Sequence, residues 1–134
     1  MNKLNHATIK IHNLRLRTFI GFNPEEKLKQ QDVVINIEID YRINDAVLSD
    51  QLEGALNYRD ISKQVIQLVE NGRFLLLEKL VGDILNICSA DPLVLKASVC
   101  VDKPHALRFA DSVSLTLNYD AETNRSINLL EKAS

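Results

Sequence analysis

The chain has 134 residues, of which 46% are hydrophobic and 25% are charged, a composition that predicts one soluble globular domain. The formal net charge is −2, so nucleic acid is not an expected partner. No apolar run reaches the length of a membrane span, and the first residues, MNKLNHATIK, lack the apolar core of a secretion signal. We therefore expect a cytoplasmic protein with no membrane partner.

Metal-binding patterns are missing from the sequence. The two cysteines, Cys88 and Cys100, form no CxxC pair, and His6, His12 and His105 form no HxH or HExxH pattern. We interpret both cysteines as buried free thiols and expect no metal site. Only four glycines are present, and they form no phosphate-binding loop.

Four segments alternate between apolar and polar residues with the two-residue period of β-strands. They span about residues 7–19, 32–43, 95–101 and 112–119. In the first segment the apolar phase changes at Asn13, which predicts a β-bulge.

Between the second and third strands, two segments carry apolar residues at helical spacing. The residues are Ile61, Val65, Leu68 and Val69 in the first, and Leu77, Leu80, Val81, Ile84 and Cys88 in the second. The order β-β-α-α-β-β predicts an α+β fold in which two helices cover one face of a four-stranded antiparallel sheet. Residues 1–120 would form this domain, and residues 121–134 a polar, partly disordered tail. Both sheet edges would be open, which favours a homo-oligomer joined edge to edge in a ring.

Four further segments carry the residues that suggest chemistry. They are residues 18–26 (TFIGFNPEE), 55–58 (ALNY), 75–80 (LLLEKL) and 102–108 (DKPHALR). In this order and spacing they resemble the dihydroneopterin aldolase family, which has the tunnelling fold. The resemblance covers about residues 9–119. It implies a pterin substrate, no cofactor, and an octamer of two stacked four-subunit rings with active sites at subunit interfaces.

The resemblance also implies a role for particular residues. Glu78 aligns with the family's pterin-anchoring glutamate, which accepts two parallel N–H bonds from the ring. Lys103 aligns with the catalytic lysine, and Tyr58 aligns with the active-site tyrosine that comes from a neighbouring subunit. Glu26 aligns with a substrate-binding loop glutamate, although Glu25 is a competing candidate. Backbone groups near Leu56 and Leu77 would complete the pterin pocket.

Each of these residues also has an ordinary structural interpretation. Glu78 would be a solvated helix residue, as most glutamates are. Tyr58 would pack a helix start on the sheet, and Lys103 would be a solvated turn lysine. Without the resemblance, the solvated interpretation of Lys103 is the better one.

Two segments, residues 14–21 (LRLRTFIG) and 105–114 (HALRFADSVS), resemble the dihydroneopterin triphosphate 2'-epimerase branch more than the aldolases. A triphosphate needs cationic partners, and Arg15, Arg17, His105 and Arg108 are candidates for phosphate contacts. Ordinary surface charge explains any one of them equally well.

The resemblance implies a reaction, epimerisation at C2' of dihydroneopterin triphosphate by retro-aldol cleavage and re-addition. Two alternatives remain open. One is a dihydroneopterin aldolase that releases 6-hydroxymethyl-dihydropterin and glycolaldehyde. The other is a pterin-binding oligomer without catalytic activity.

Overall fold

The computed structural model describes residues 5–124, which form an α+β fold. Its elements are β1 (His6–Ile20), β2 (Gln31–Arg42), α1 (Asp45–Leu48), α2 (Tyr58–Glu70), β3 (Arg73–Phe74), α3 (Leu77–Cys88), β4 (Val94–Pro104) and β5 (Ser112–Asp120). The predicted order of four long strands and two long helices is confirmed. Most of the predicted tail, residues 125–134, lies outside the described residues.

Within residues 5–124 the sheet contains five strands in the order β3-β1-β2-β4-β5, one more than predicted. The four long strands pair antiparallel, whereas β3 pairs parallel with Phe19 and Ile20 at the end of β1. A strand of two residues is too short to show a period, so the sequence pattern missed it. The single-turn helix α1 was missed for the same reason; Asn44 caps it by accepting a hydrogen bond from the Val47 N–H at 2.9 Å.

The predicted β-bulge is confirmed at Asn13. The pairing register between β1 and β2 shifts between Ile11 and Leu14, and Asn13 has a φ of 53°. The Asn13 N–H donates to Oδ1 of Asn36 across the strand pair at 2.9 Å. Because of the extra residue, the apolar side chains before and after the bulge face the same side of the sheet.

The core lies between one sheet face and the helices α2 and α3. Its buried members include Val33, Ile35, Ile37 and Ile39 of β2, Val99 and Val101 of β4, Ile61, Val65 and Val69 of α2, and Leu80, Val81, Ile84 and Cys88 of α3. Burying each such side chain stabilises the fold by roughly 1.5–3 kcal/mol. The prediction that both cysteines are buried is wrong for Cys100, which is half-buried. Its position between Val99 and Val101 turns it to the sheet face without helices.

The sheet has two ends, which we name by their residues. At the Lys103 end, β1 finishes at Ile20, β2 begins at Gln31, and β4 finishes at Pro104. At the Arg42 end, Arg42 of β2 pairs with His6 of β1. Within residues 5–124, β5 has no strand on its outer side, and β3 covers only two residues of β1. The long open edges expected from the sequence are therefore present.

Candidate active site

Lys103 and Glu26 form an ion pair at the Lys103 end of the sheet. Lys103 follows Val99 and Val101 on the same face of β4, so its side chain lies on the side of the helices and is only 13% exposed. Glu26 comes from the loop between β1 and β2 and is 21% exposed. The Lys103 ammonium donates a hydrogen bond to Oε2 of Glu26. The fold thus joins two residues that the sequence analysis placed in one site, 77 positions apart in the chain.

Two further groups, Gln31 and the Asn23 backbone, hold Glu26 in place. Nε2 of Gln31 donates to Oε2 of Glu26 at 3.3 Å and to the Ile20 carbonyl at 2.6 Å, and the Asn23 N–H donates to Oε1 at 3.4 Å. The hydrogen bond from Lys103 lowers the pKa of Glu26 below its ordinary value of 4.5. Partial burial opposes this shift, and the donors Gln31 and Asn23 add to it. Glu26 is therefore a carboxylate at neutral pH. The neighbouring Glu25 is exposed, so Glu26 is the loop glutamate that reaches Lys103.

Gly21 leaves room for the Glu26 carboxylate. Its φ is 128°, a conformation that residues with a Cβ rarely adopt, and a Cβ at this position would overlap the Glu26 side chain. The Gly21 N–H donates to the Phe74 carbonyl at 2.9 Å, which fixes β3 against the end of β1. Gly21 belongs to residues 18–26, the first of the four segments identified from the sequence, whereas Gln31 was not identified. A polar residue at the start of a strand carries no local signal of a site.

Glu78 and Leu77 begin α3 at the same end of the sheet. β3, three residues earlier, pairs Phe74 with Ile20 and thereby places this helix start beside the loop that carries Glu26. Glu78 is exposed, and it has no hydrogen bond or ion pair within the described part of the chain. The preceding Leu76 is 51% exposed. An unpaired carboxylate next to exposed apolar surface suits a ligand that offers N–H donors and an aromatic ring.

Tyr58 and Leu56 lie at the start of α2, away from Lys103. The chain leaves β2 at the Arg42 end before α2 begins, and α2 ends just before β3, at the Lys103 end. A helix of 13 residues is about 20 Å long. Leu56 is buried, whereas Tyr58 is 49% exposed. Within one chain, we therefore infer that Tyr58 and Lys103 lie roughly the length of α2 apart.

Three of the four candidate cationic residues come together on the sheet face without helices. Arg15, Arg17 and His105 line one cavity there, at the Lys103 end. Arg108 does not line this cavity; its guanidinium lies 5.4 Å from the ring centre of the exposed Phe109.

Residues 5–124 contain no group of three or more His, Cys, Asp or Glu side chains placed to hold a metal ion. None of their helices is both long enough and apolar enough to span a membrane. Cys88 is a buried free thiol, and burial raises its pKa to about 12.

Most of the chain is similar in sequence to proteins of known function. The family model for dihydroneopterin aldolase (FolB) matches residues 9–118. Dihydroneopterin triphosphate 2'-epimerase of Escherichia coli K12 is 53% identical over 113 residues, covering 84% of this chain and 94% of the relative. The Pseudomonas aeruginosa enzyme of the same name is 54% identical over 111 residues, covering 83% and 90%.

A solved structure gives the corresponding comparison of folds. Escherichia coli dihydroneopterin aldolase, crystallised with neopterin, superposes with a TM-score of 0.77 at 26% identity, covering 84% of this chain and 98% of that one. The predicted family, and the predicted resemblance to its epimerase branch, are confirmed by these relatives. The chain belongs to the dihydroneopterin aldolase family.

Proposed function

We propose that this protein is a dihydroneopterin triphosphate 2'-epimerase. The observation that carries the proposal is the sheltered Lys103–Glu26 pair at the sheet end where α3 presents Glu78 without a partner among residues 5–124. It is supported by the name shared by the two bacterial relatives that are more than half identical.

Glu78 anchors the pterin ring in this proposal. A carboxylate accepts two parallel hydrogen bonds from the 2-amino group and N3 of a pterin, and the fixed spacing of those donors gives orientation as well as affinity. Backbone groups of Leu77, and of Leu56 from a second subunit, complete the ring's hydrogen bonds. The exposed Leu76 offers apolar surface beside the ring.

The bond-breaking step needs no cofactor because the substrate provides its own electron sink. Removal of the 2'-hydroxyl proton lets the C1'–C2' bond break, so that C2' becomes an aldehyde. The electron pair left on C1' delocalises into the conjugated imine of the dihydropterin. Lys103 as the neutral amine takes this proton through an ordered water and Tyr58, and Glu26 holds the ammonium that results until the proton is returned.

The fate of the aldehyde decides between the two activities of the family. When C1' attacks the opposite face of the retained aldehyde, the C–C bond forms again, the new alkoxide takes back the proton, and C2' is inverted. When C1' is protonated and the aldehyde leaves, the outcome is aldolase cleavage. Epimerisation therefore requires the protein to hold the phosphorylated aldehyde fragment between the two steps.

The active site is assembled between subunits. Tyr58 and Lys103 of one protomer lie about a helix length apart, so the tyrosine that assists Lys103 belongs to a neighbouring subunit. The open edges of β1 and β5 support pairing of sheets into a ring. Native mass spectrometry should give eight times the 15.2 kDa chain mass. A monomer that is active at nanomolar concentration would contradict the assembly.

The product assay tests the proposed function. Purified protein is incubated with dihydroneopterin triphosphate, and the products are dephosphorylated, oxidised and separated by chromatography. Monapterin as the main product supports the epimerase. 6-Hydroxymethylpterin as the main product would make the protein an aldolase, and unchanged neopterin, with pterin still bound, would make it a non-catalytic pterin-binding protein.

A further inference from the structure

A cavity of about 390 Å³ opens on the sheet face without helices, at the Lys103 end. Its charged and titratable lining consists of Arg15, Arg17, Asp32 and His105. The volume falls within the range of pockets that bind small ligands. Cationic groups outnumber the carboxylate, so an anion is the ligand that this lining favours.

The strand pleat directs both arginines to this face. Leu14, Leu16 and Thr18 turn toward the core, and the intervening Arg15 and Arg17 turn away from it. Across the strand pair, Arg15 lies opposite Val34 and Arg17 lies opposite Asp32.

The two arginines differ in the hydrogen bonds and ion pairs that their side chains make. The Arg15 guanidinium has no hydrogen bond or ion pair with any residue of the described chain. Nε of Arg17 lies 3.2 Å from Oδ1 of Asp32, and its terminal nitrogen donates to the Gln30 carbonyl at 3.0 Å. Both partners of this ion pair are more than 60% exposed, at 64% and 72%, and exposed pairs contribute little to stability. The ion pair with Asp32 can therefore be replaced by one with a multiply charged ligand at a small cost in free energy.

The cavity is close to the catalytic pair although it lies on the opposite sheet face. Gln30 binds Arg17 and the adjacent Gln31 binds Glu26, so consecutive residues connect the two clusters. His105 follows Lys103 by two positions, about 7 Å of extended chain. A φ of 60° at His105 turns the chain there, just beyond the end of β4. The catalytic pair and the cavity therefore lie at the same end of the sheet, on opposite faces.

We propose that this cavity binds the terminal phosphates of the substrate, with Arg15 as the main ligand. Arg17 is shared between Asp32 and the phosphates, and His105 donates a ring N–H. A guanidinium binds a phosphate through two parallel hydrogen bonds, which a lysine at the same position would not reproduce. The inference rests on the proposed function. It identifies what retains the phosphorylated aldehyde between cleavage and re-addition.

The test uses kcat/KM for dihydroneopterin triphosphate divided by kcat/KM for dihydroneopterin, measured on the full-length protein. Arg15→Gln should lower this ratio about tenfold, since it removes a charge-assisted bidentate contact. Asp32→Asn should raise it by about twofold or more, because Arg17 is then released to the phosphates. Lys10→Gln is the matched control: Lys10 lies on the same strand and sheet face but outside the cavity, and the ratio should change by less than about twofold.

Two results would overturn the inference: an unchanged ratio in Arg15→Gln, or a ratio that falls in Asp32→Asn. Asp32→Asn distinguishes a phosphate contact from a general loss of enzyme structure. A general loss would lower kcat/KM for both substrates and would not raise their ratio. Titration calorimetry with inorganic triphosphate separates the inference from the proposed function. Binding that Arg15→Gln weakens about tenfold supports the cavity even if the product assay excludes epimerisation. Binding that Arg15→Gln leaves unchanged counts against the cavity even if the protein epimerises.

Discussion

The two ends of the protomer carry different halves of the proposed active site. At the Lys103 end, folding of a single chain already brings an ammonium and a carboxylate together and shelters both. Tyr58 lies at the start of α2 with half of its surface exposed, and α2, about 20 Å long, ends near the Lys103 end of the sheet. In the proposed function, the Lys103–Glu26 pair is thus fixed by folding, whereas Tyr58 would join the site only from a second chain.

This difference has an energetic reason. Glu26 is held by Lys103, Gln31 and the Asn23 backbone, and Gly21 leaves space for it, so the pair is ordered before substrate arrives. Because the pair is already ordered, the reaction does not have to supply the conformational entropy that ordering these side chains would cost. Substitutions at the Lys103 end should therefore affect both stability and turnover, whereas a substitution at Tyr58 should affect turnover without affecting stability.

The largest expected effect is that of Lys103→Ala. Loss of the proton-transfer group should lower kcat by about 10²- to 10⁴-fold. Neopterin binding, followed by fluorescence titration, should persist because Glu78 is intact. The matched control is Lys96→Ala on the same strand, where an exposed lysine pairs with Asp120. A Lys103→Ala enzyme within about tenfold of wild-type kcat would exclude the proposed role.

Tyr58→Phe should lower kcat about tenfold, because it removes one hydroxyl that assists proton transfer. The free energy of unfolding should stay within about 0.5 kcal/mol of wild type, since this hydroxyl makes no hydrogen bond in the described chain. Tyr119→Phe on β5 is the control and should retain wild-type kcat. Equal effects of the two substitutions would remove the reason for placing Tyr58 in the site.

Gly21→Ala should destabilise the protein by about 1–3 kcal/mol and also lower turnover. The new Cβ requires an unfavourable backbone conformation and overlaps the Glu26 carboxylate, so the ion pair must move. Gly82→Ala is the control: its Cβ would meet only Cδ1 of Leu117, at 3.9 Å, within a helix. That change should be neutral or slightly stabilising. Denaturant unfolding measures the change in stability of each variant, and kcat measures the change in turnover.

The smallest effect concerns acid stability. The folded-state pKa of Glu26 is lowered, so its stabilising contribution is present above pH 4.5 and is lost as the pH falls through the lowered value. Glu26→Gln should therefore cost about 1 kcal/mol at pH 7 and approach wild-type stability in acid. Exposed Glu25→Gln should stay within about 0.5 kcal/mol of wild type at pH 7. A Glu26→Gln deficit that persists unchanged at pH 2 would point to lost packing instead of lost charge.

The sequence predicted those parts of the fold that repeat a local pattern. The alternation in β2 and the helical spacing in α2 and α3 were sufficient to place these elements, and the phase change at Asn13 located the bulge. The two-residue β3 and the single turn α1 were missed because neither is long enough to show a period. The environment of Cys100 was mispredicted because strand alternation was not applied to it.

The candidate site was harder to predict from the sequence than the strands and helices. Lys103, Glu26 and Tyr58 were identified through the family resemblance, whereas Glu78 was identified both through the resemblance and as an acid within an apolar run. The sequence alone favoured a solvated Lys103. The contact between Lys103 and Glu26 spans 77 residues, so no local pattern encodes it. Gln31 was missed because its role depends on two bonds that exist only after β1 and β2 have paired.

The most direct test of a site divided between subunits is complementation between two impaired variants. Lys103→Ala and Tyr58→Phe proteins are mixed in equal amounts, dissociated, reassembled and assayed with dihydroneopterin triphosphate. If Lys103 of one subunit acts with Tyr58 of another, random mixing restores about a quarter of the wild-type sites, and activity rises well above that of either parent. If both residues act within one chain, the mixture shows only the average of the two parents, and the account is contradicted.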